Sequence, residues 1–299
     1  MMDRRRHLRD RLSAGSLRLL ARVPLRVNHA VGAALGWLAW ALPTRSARLT
    51  RINLQLCFPE KDAAWRRRVG RRSLVAMGQA MTEFPWLWQA DPETLDRLAE
   101  APPRFARLRD RAPGRALFLA TPHQGAWEFG GLHAARLGPM ASLYTPLKNP
   151  ELDRWVREAR ASTGATLAPA NRSGLRQLQQ ARDGGGIIGI LPDQSPRGAS
   201  GVHAPFFGRQ ALTMTLLPRL LRGRDDHVVF VFVERLPRGR GYRYHEIEAG
   251  PEVADPDAAR AAAAVNRHVE TLVRRCPEQY NWGYKRFHPA PEGRPNPYR

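Results

Sequence analysis

The chain has 299 residues, 43% of them hydrophobic and 25% charged, a balance that can bury a core and argues against an intrinsically disordered chain. Forty-eight Lys and Arg against 27 Asp and Glu leave a net charge of +21 and a pI of about 11.4, so anionic partners are favoured: nucleic acid, anionic lipid, phosphorylated substrates or an acidic protein. Cys57 and Cys276 have no CxxC or Cys/His ligand spacing, which reads as two free thiols rather than a disulfide or a metal site.

The chain opens with a basic run from Arg4 to Arg11. An apolar stretch follows from Val27 to Pro43, with Trp37 and Trp40 inside it. It is shorter than the ~20 residues that a spanning helix needs, and no cleavage site closes it as a signal peptide. Arg18, Arg22 and Arg26 precede it; Arg45, Arg48 and Arg51 follow it. Basic flanks on both sides suit a helix lying in the cytoplasmic face of a membrane; the alternative is a core helix. Residues 1–45 are therefore expected as a membrane-associated helical segment, ahead of one domain over residues 46–299.

Residues 46–100 carry helical periodicity, with Leu74, Met77, Met81 and Phe84 on one stripe. Pro102 and Pro103 break it. Beyond residue 115 short apolar runs alternate with helical patterns. Strands are expected at Ala116–Ala120, Ala141–Leu147, Thr166–Pro169, Ile187–Leu191, His227–Leu236 and Tyr242–Ala249. Helices are expected at His123–Leu137, Pro150–Ser162, Ser173–Asp183, Leu212–Leu221 and Asp257–Arg275. This order specifies an α/β fold, a mixed sheet flanked by helices.

The most chemical stretch is Thr121-Pro122-His123-Gln124-Gly125-Ala126-Trp127-Glu128, directly after a strand. A histidine at the C-terminal edge of a strand sits where open α/β sheets place active sites, and its neutral ring accepts a proton near pH 7. Glu128 lies five residues on. In a regular helix those two positions face apart, so the pair meets only if His123 stands in the turn before the helix. Pro122 and Gly125 supply such a turn. Glu128 would then orient the imidazole as a carboxylate does in a hydrolase triad. No Ser or Cys nucleophile stands alongside, which points to direct attack by a substrate hydroxyl that His123 deprotonates. On spacing alone a chance His-x4-Glu is common, and a helix-capping histidine explains the stretch better.

The spacing resembles the HX4D/E motif of the glycerolipid acyltransferase superfamily. Tyr144 to Arg160 (YTPLKNPELDRWVREAR), Leu191 to Gln194 (LPDQ), Gly201 to Gly208 (GVHAPFFG) and Pro277 to Phe287 (PEQYNWGYKRF) are similar to one branch, the bacterial lipid A biosynthesis lauroyl/myristoyl acyltransferases. Asn53 to Pro59 (NLQLCFP) and the N-terminal basic and apolar stretch fit the same branch, so the likeness runs along nearly the whole chain. It implies that His123 and Glu128 are the catalytic pair. It also implies that Arg160, with Arg157 a turn earlier, steadies the thioester oxyanion or a substrate phosphate. Lys148 and Asn149 become candidate phosphate contacts, and Asp193 and Gln194 candidates for binding or positioning the acceptor. Phe206 and Phe207 line the acyl pocket or pack the core.

The expected reaction moves a fatty acyl chain from an acyl carrier protein thioester, or acyl-CoA, to a hydroxyl of a phosphorylated lipid A precursor. The place is the cytoplasmic face of a bacterial inner membrane, with no metal and no cofactor. Other acceptors of the same chemistry, such as an ornithine lipid or another glycolipid, fit the motif equally. His203-Ala204 before Pro205, and Asn281 and Gly283, depart from the family's usual residues and leave the acceptor and chain length open. A nucleic-acid-binding protein would explain the charge, but the arginines are spread along the chain rather than gathered on one face. Gly184 to Gly189 matches G-x-G-x-x-G in the reversed context, leaving a helix for a strand, so it specifies no dinucleotide site. No G-x-S-x-G elbow and no HExxH pair occurs.

Overall fold

The computed structural model describes residues 15–111, 114–196 and 200–299. The basic run from Arg4 to Arg11 lies outside them. A six-stranded mixed sheet in the order β3-β2-β4-β1-β7-β8 organises the domain, with a separate hairpin of β5 and β6. The strands are β1 (Leu117–Ala120), β2 (Met140–Tyr144), β3 (Ala165–Pro169), β4 (Ile187–Ile190), β5 (Gly201–Phe206), β6 (Arg209–Met214), β7 (His227–Arg235) and β8 (Tyr242–Glu248). β1 pairs in parallel with β4 on one side and β7 on the other; β8 runs antiparallel to β7 at the edge. All of β1 and most of β7 are buried, as continuous apolar runs in a sheet covered on both faces should be.

Helices α1 (Leu25–Ala41), α2 (Arg45–Cys57), α3 (Ala63–Leu87), α4 (Pro92–Leu98) and α5 (Ala106–Arg111) precede the sheet. Within it come α6 (Trp127–Arg136), α7 (Pro150–Ser162), α8 (Arg172–Asp183), α9 (Leu216–Leu221) and α10 (Ala258–Arg275). α6 covers one face, where Phe129 and Leu132 meet Leu117, Leu119 and Val231. α8 and α10 cover the other, where Leu178, Val269 and Leu272 meet Phe118, Ile188 and Phe230.

The structure corrects the sequence reading in two places that bear on the site. Residues 212–214 belong to strand β6, and the helix begins only at Leu216. The apolar periodicity there is short enough to fit either state, and pairing with β5 decides it. The helix expected from His123 begins at Trp127, so His123 stands in the preceding turn.

α1 packs along α3 by close backbone approach: side chains at Gly32, Gly36 or Gly78 would run into the facing helix. Its opposite face exposes Val27, Val31, Leu35 and Leu38, a stripe at spacings of four, four and three, with Trp37 beside it. Among the described residues no helix is long and apolar enough to cross a membrane.

A buried ionic cluster ties these helices to the sheet. Glu83 of α3 is fully buried and accepts hydrogen bonds from His29 Nε2 of α1 (2.7 Å), from Arg235 Nε of β7 (2.7 Å) and from the Tyr242 hydroxyl (3.1 Å). Burial pushes the Glu83 carboxyl up, but the Arg235 charge and hydrogen bonds outweigh it and hold the group below its ordinary range. An unpaired partner in such a cluster would cost ~3–5 kcal/mol.

Candidate functional site

The turn that carries His123 is fixed from both ends. Gly125 adopts φ +63° with its α-carbon against the Val233 carbonyl, a conformation and a clearance that only glycine meets without strain. Its N–H donates to the Gln279 carbonyl (2.9 Å), and the next N–H, of Ala126, donates to the Val233 carbonyl (2.8 Å). Arg235 Nη2 donates to the Gly125 carbonyl (3.1 Å), so the buried Glu83 cluster reaches this loop. From the other side the Asn281 N–H donates to the His123 carbonyl (3.1 Å), which gives the PEQYNWGYKRF segment a role in holding the turn.

His123 Nδ1 lies 2.8 Å from Asp193 Oδ1, and the His123 backbone N–H donates to Asp193 Oδ2 at 2.9 Å. Asp193 is 3% exposed; one carboxylate thus grips both the ring and the backbone of the same residue. A carboxylate only accepts, so Nδ1 carries a proton, and in the neutral tautomer Nε2 is the bare nitrogen. Gln194 Nε2 sits 3.2 Å from that bare nitrogen, consistent with an amide donor. Burial raises the Asp193 carboxyl, but the His123 charge and the two hydrogen bonds from His123 outweigh it, leaving the group below the ordinary Asp value. The Tyr280 hydroxyl lies against the same carboxylate; burial, then the Asp193 charge, push it well above the ordinary tyrosine range.

Glu128 does not serve as the hydrogen-bond partner of His123. It opens α6 with its carboxylate turned to Arg160 of α7: Nε donates to Oε1 (2.9 Å) and Nη2 to Oε2 (2.7 Å), a bidentate fork. Trp88 Nε1 donates to Oε1 as well (2.9 Å). These three bonds commit a carboxylate that is 5% exposed, and they explain why the expected His–Glu pairing is replaced by His–Asp. Burial lowers the Arg160 guanidinium, and the Glu128 charge and hydrogen bonds more than restore it, so the cation is held above its ordinary value.

His123, Glu128 and Arg160 all line one cavity of about 290 Å³. Its floor is the sheet: Thr121 and Leu119 of the β1 segment, Tyr144, Ser142 and Met140 of β2, and Leu167 and Ala165 of β3 alternate along it, joined by Leu143 and by Gly189 to Leu191. α6 roofs it with Gly130, Gly131 and Ala134. The polar groups stand at the end where the parallel strands finish, and the rest of the lining is mainly apolar, the usual make-up of a pocket for a small organic group.

The other expected site residues separate. Asp193 and Gln194 join His123. Arg157 and Lys148 are exposed and lie outside the cavity lining. Asn149 is the N-cap of α7, its side-chain oxygen accepting from the N–H groups of Glu151 and Leu152. Phe206 and Phe207 are buried core residues, stacked edge-on at 4.9 Å and placed with Phe58 and Trp282 rather than beside His123. Trp88 and Met140 are site residues that the sequence reading did not single out; helical and strand periodicity mark both only as core.

A model of the family described as bacterial lipid A biosynthesis acyltransferase matches residues 2–289. The chain is similar to the lipid A biosynthesis lauroyltransferase of Escherichia coli, 30% identical over 291 residues that cover 96% of this chain and 94% of the relative. It is also similar to the lipid A biosynthesis palmitoleoyltransferase of Escherichia coli, 28% identical over 95% of this chain and 92% of the relative. The lipid A biosynthesis myristoyltransferase of that organism is 26% identical over 96% and 89%.

Proposed function

Because the chain belongs to the bacterial lipid A biosynthesis acyltransferase family, and so is an acyltransferase of lipid A biosynthesis, we propose that it moves a fatty acyl chain from an acyl carrier protein thioester to a hydroxyl of a phosphorylated lipid A precursor. The observation that carries the mechanism is the His123 Nδ1–Asp193 Oδ1 bond at the polar end of the cavity. With Nδ1 protonated, Nε2 is the free base. The acceptor hydroxyl displaces the Gln194 amide, donates its proton to Nε2, and its oxygen attacks the thioester carbonyl. The tetrahedral oxyanion collapses, the carbon–sulfur bond breaks, and imidazolium returns the proton to the departing thiolate. Asp193 offsets the imidazolium charge that forms between these steps.

Arg160 supplies the electrostatic component. Its Nε and Nη2 are committed to Glu128, which fixes the plane of the guanidinium, and Nη1 has no hydrogen bond among the described residues. That nitrogen is the donor offered to the developing oxyanion, and Glu128 acts by holding it.

The chain works on an anionic membrane at the cytoplasmic face of the inner membrane. Support comes from the exposed stripe of α1, flanked by the exposed Arg22, Arg26, Arg45 and Arg48. Apolar side chains framed by arginines suit an interfacial helix.

The test is transfer from acyl carrier protein thioesters to a tetra-acylated lipid A precursor, read by mass spectrometry. Wild type yields the penta-acylated product and His123→Ala none. Wild-type product levels from His123→Ala would sink the mechanism.

A further inference from the structure

Resting on the reading of His123 as the base of acyl transfer, we infer that Arg235 is a positioning residue for that reaction, aimed by Glu83 and, through Glu83, by His29 of α1. Arg235 ends β7, is 5% exposed and stands outside the lining of the cavity. Its side chain acts on one peptide plane, that between Gly125 and Ala126. Arg235 Nη2 donates to the carbonyl of this plane (3.1 Å), and the Ala126 N–H at the other edge donates to the Val233 carbonyl (2.8 Å). A single strand thus pins the plane from both sides.

The pin matters because of the residue it holds. Glycine reaches either sign of φ at little cost, so an unpinned Gly125 peptide turns over readily. His123 lies two residues before this plane, and its ring has to meet Asp193, which belongs to another loop, at 2.8 Å. A displacement of about 1 Å at a reacting group costs up to about 10²-fold in rate. The turn has a second tie, from the Gly125 N–H to the Gln279 carbonyl, and the main chain of Arg235 braces it: its N–H donates to Gln279 Oε1 (2.9 Å) and its carbonyl accepts from Gln279 Nε2 (3.0 Å). That brace is made by backbone and survives a change of the Arg235 side chain.

The guanidinium is itself held from behind. Nε donates to Glu83 Oε2 (2.7 Å), and Nη2 bonds Glu83 Oε1 as well as the Gly125 carbonyl, so its plane is fixed. His29 Nε2 lies 2.7 Å from the same Oε2. His29 is 4% exposed, whereas Val27 and Val31, two residues to either side and on the opposite face of α1, are 51% and 40% exposed. The helix that shows the apolar stripe is therefore joined by its inner face, through His29, Glu83 and Arg235, to the catalytic turn. These groups reach His123 through its backbone.

In the full-length protein, the double variant Glu83→Gln/Arg235→Met separates positioning from stability. It leaves neither member of the pair as an unpaired buried ion, so its urea midpoint should return most of the way from that of Arg235→Met to that of wild type. Its kcat should stay ~10–100-fold below wild type, with the KM for the thioester changed less than ~3-fold, because the Gly125 carbonyl still lacks the Arg235 donor. His29→Leu keeps the Glu83–Arg235 fork and should lower kcat by ~3–10-fold. A readout that needs no turnover is the downfield Nδ1–H resonance of His123 in histidine-labelled protein, assigned as the one that His123→Ala removes. It should shift or broaden in the double variant and in His29→Leu.

A rate that returns together with stability in the double variant, a wild-type rate in His29→Leu, or an unmoved resonance in either protein overturns the inference, and the acyl-transfer reading survives. Should the double variant fail to fold, the rate and resonance of His29→Leu decide. A resonance that moves in both variants of a protein that transfers no chain supports the positioning and overturns the transfer reading instead.

Discussion

His123 and Asp193 stand at the same height above the sheet because Ala120 and Ile190 face each other across the parallel pair β1–β4, and residue 123 is three past 120 as residue 193 is three past 190. Parallel neighbours end at one edge, so the two loops leave side by side and the carboxylate meets the ring at 2.8 Å. The partner of His123 is set by sheet order, across 70 residues of sequence, and not by the spacing of the motif that contains it.

Asp193→Asn should lower kcat by ~10²–10⁴-fold with a much smaller effect on the KM for the thioester. An amide at this position presents an N–H to one of the two nitrogens that now donate to the carboxylate, and it offsets no imidazolium charge. The double variant His123→Ala/Asp193→Asn should be no slower than His123→Ala alone, since groups that act as a unit do not add. Steady-state rates on the three proteins check this, and multiplicative losses would separate Asp193 from His123.

The same contact makes acid stability readable. The folded Asp193 carboxyl is held below its ordinary value near 3.8, so its stabilising contribution is fully present above that pH and is lost as pH falls through the lower, folded value. Asp193→Asn lacks a titrating group there. The stability difference between wild type and this variant should therefore narrow as the pH falls below about pH 4. Urea denaturation at stepped pH measures it. A difference that widens below about pH 4 would reverse the assigned direction.

The sequence discloses the fold class, the place of His123 in a turn at a strand end, and the likeness that names the family, because each is written locally. Pro122 and Gly125 bracket a turn, and apolar runs of four or five residues mark buried strands. It discloses less about who touches whom. Glu128 looks like the natural partner of His123 five residues away, yet Trp88, which caps the end of α3, and Arg160 of α7 take all of its bonding. Phe206 and Phe207 look like a pocket wall from composition alone. Strand pairing in the β5–β6 hairpin and the aromatic contacts with Phe58 turn them into core. In each case the deciding contact is long-range, and periodicity carries no information about it.

For Glu128 and Arg160 the expected outcome separates stability from rate. Arg160→Met leaves a carboxylate that is 5% exposed without its cation, and should cost ~2–3 kcal/mol, somewhat under the full value for a buried pair because the Arg160 side chain is 29% exposed. Glu128→Gln/Arg160→Met should recover most of that loss, since no uncompensated charge remains. It should stay inactive, because no guanidinium faces the oxyanion. Arg160→Lys keeps the charge without the fork and should retain more stability than Arg160→Met while losing most of the rate. Chemical denaturation and kcat on the same preparations decide it; an active double variant would remove Arg160 from the reaction.

The stripe on α1 yields the last expectation. Val31 and Leu35 are 40% and 55% exposed, so aspartate at both should change folding stability by no more than ~0.5 kcal/mol each. The same two charges would have to enter the acyl boundary of a bilayer, where they are costly. Wild type should sediment with vesicles containing phosphatidylglycerol and Val31→Asp/Leu35→Asp should not, while transfer between detergent-dispersed substrates continues. Raising the salt should weaken wild-type binding only in part, because screening acts on the flanking arginines and leaves the apolar contact intact. Equal sedimentation of wild type and double variant would move the membrane contact elsewhere on the protein.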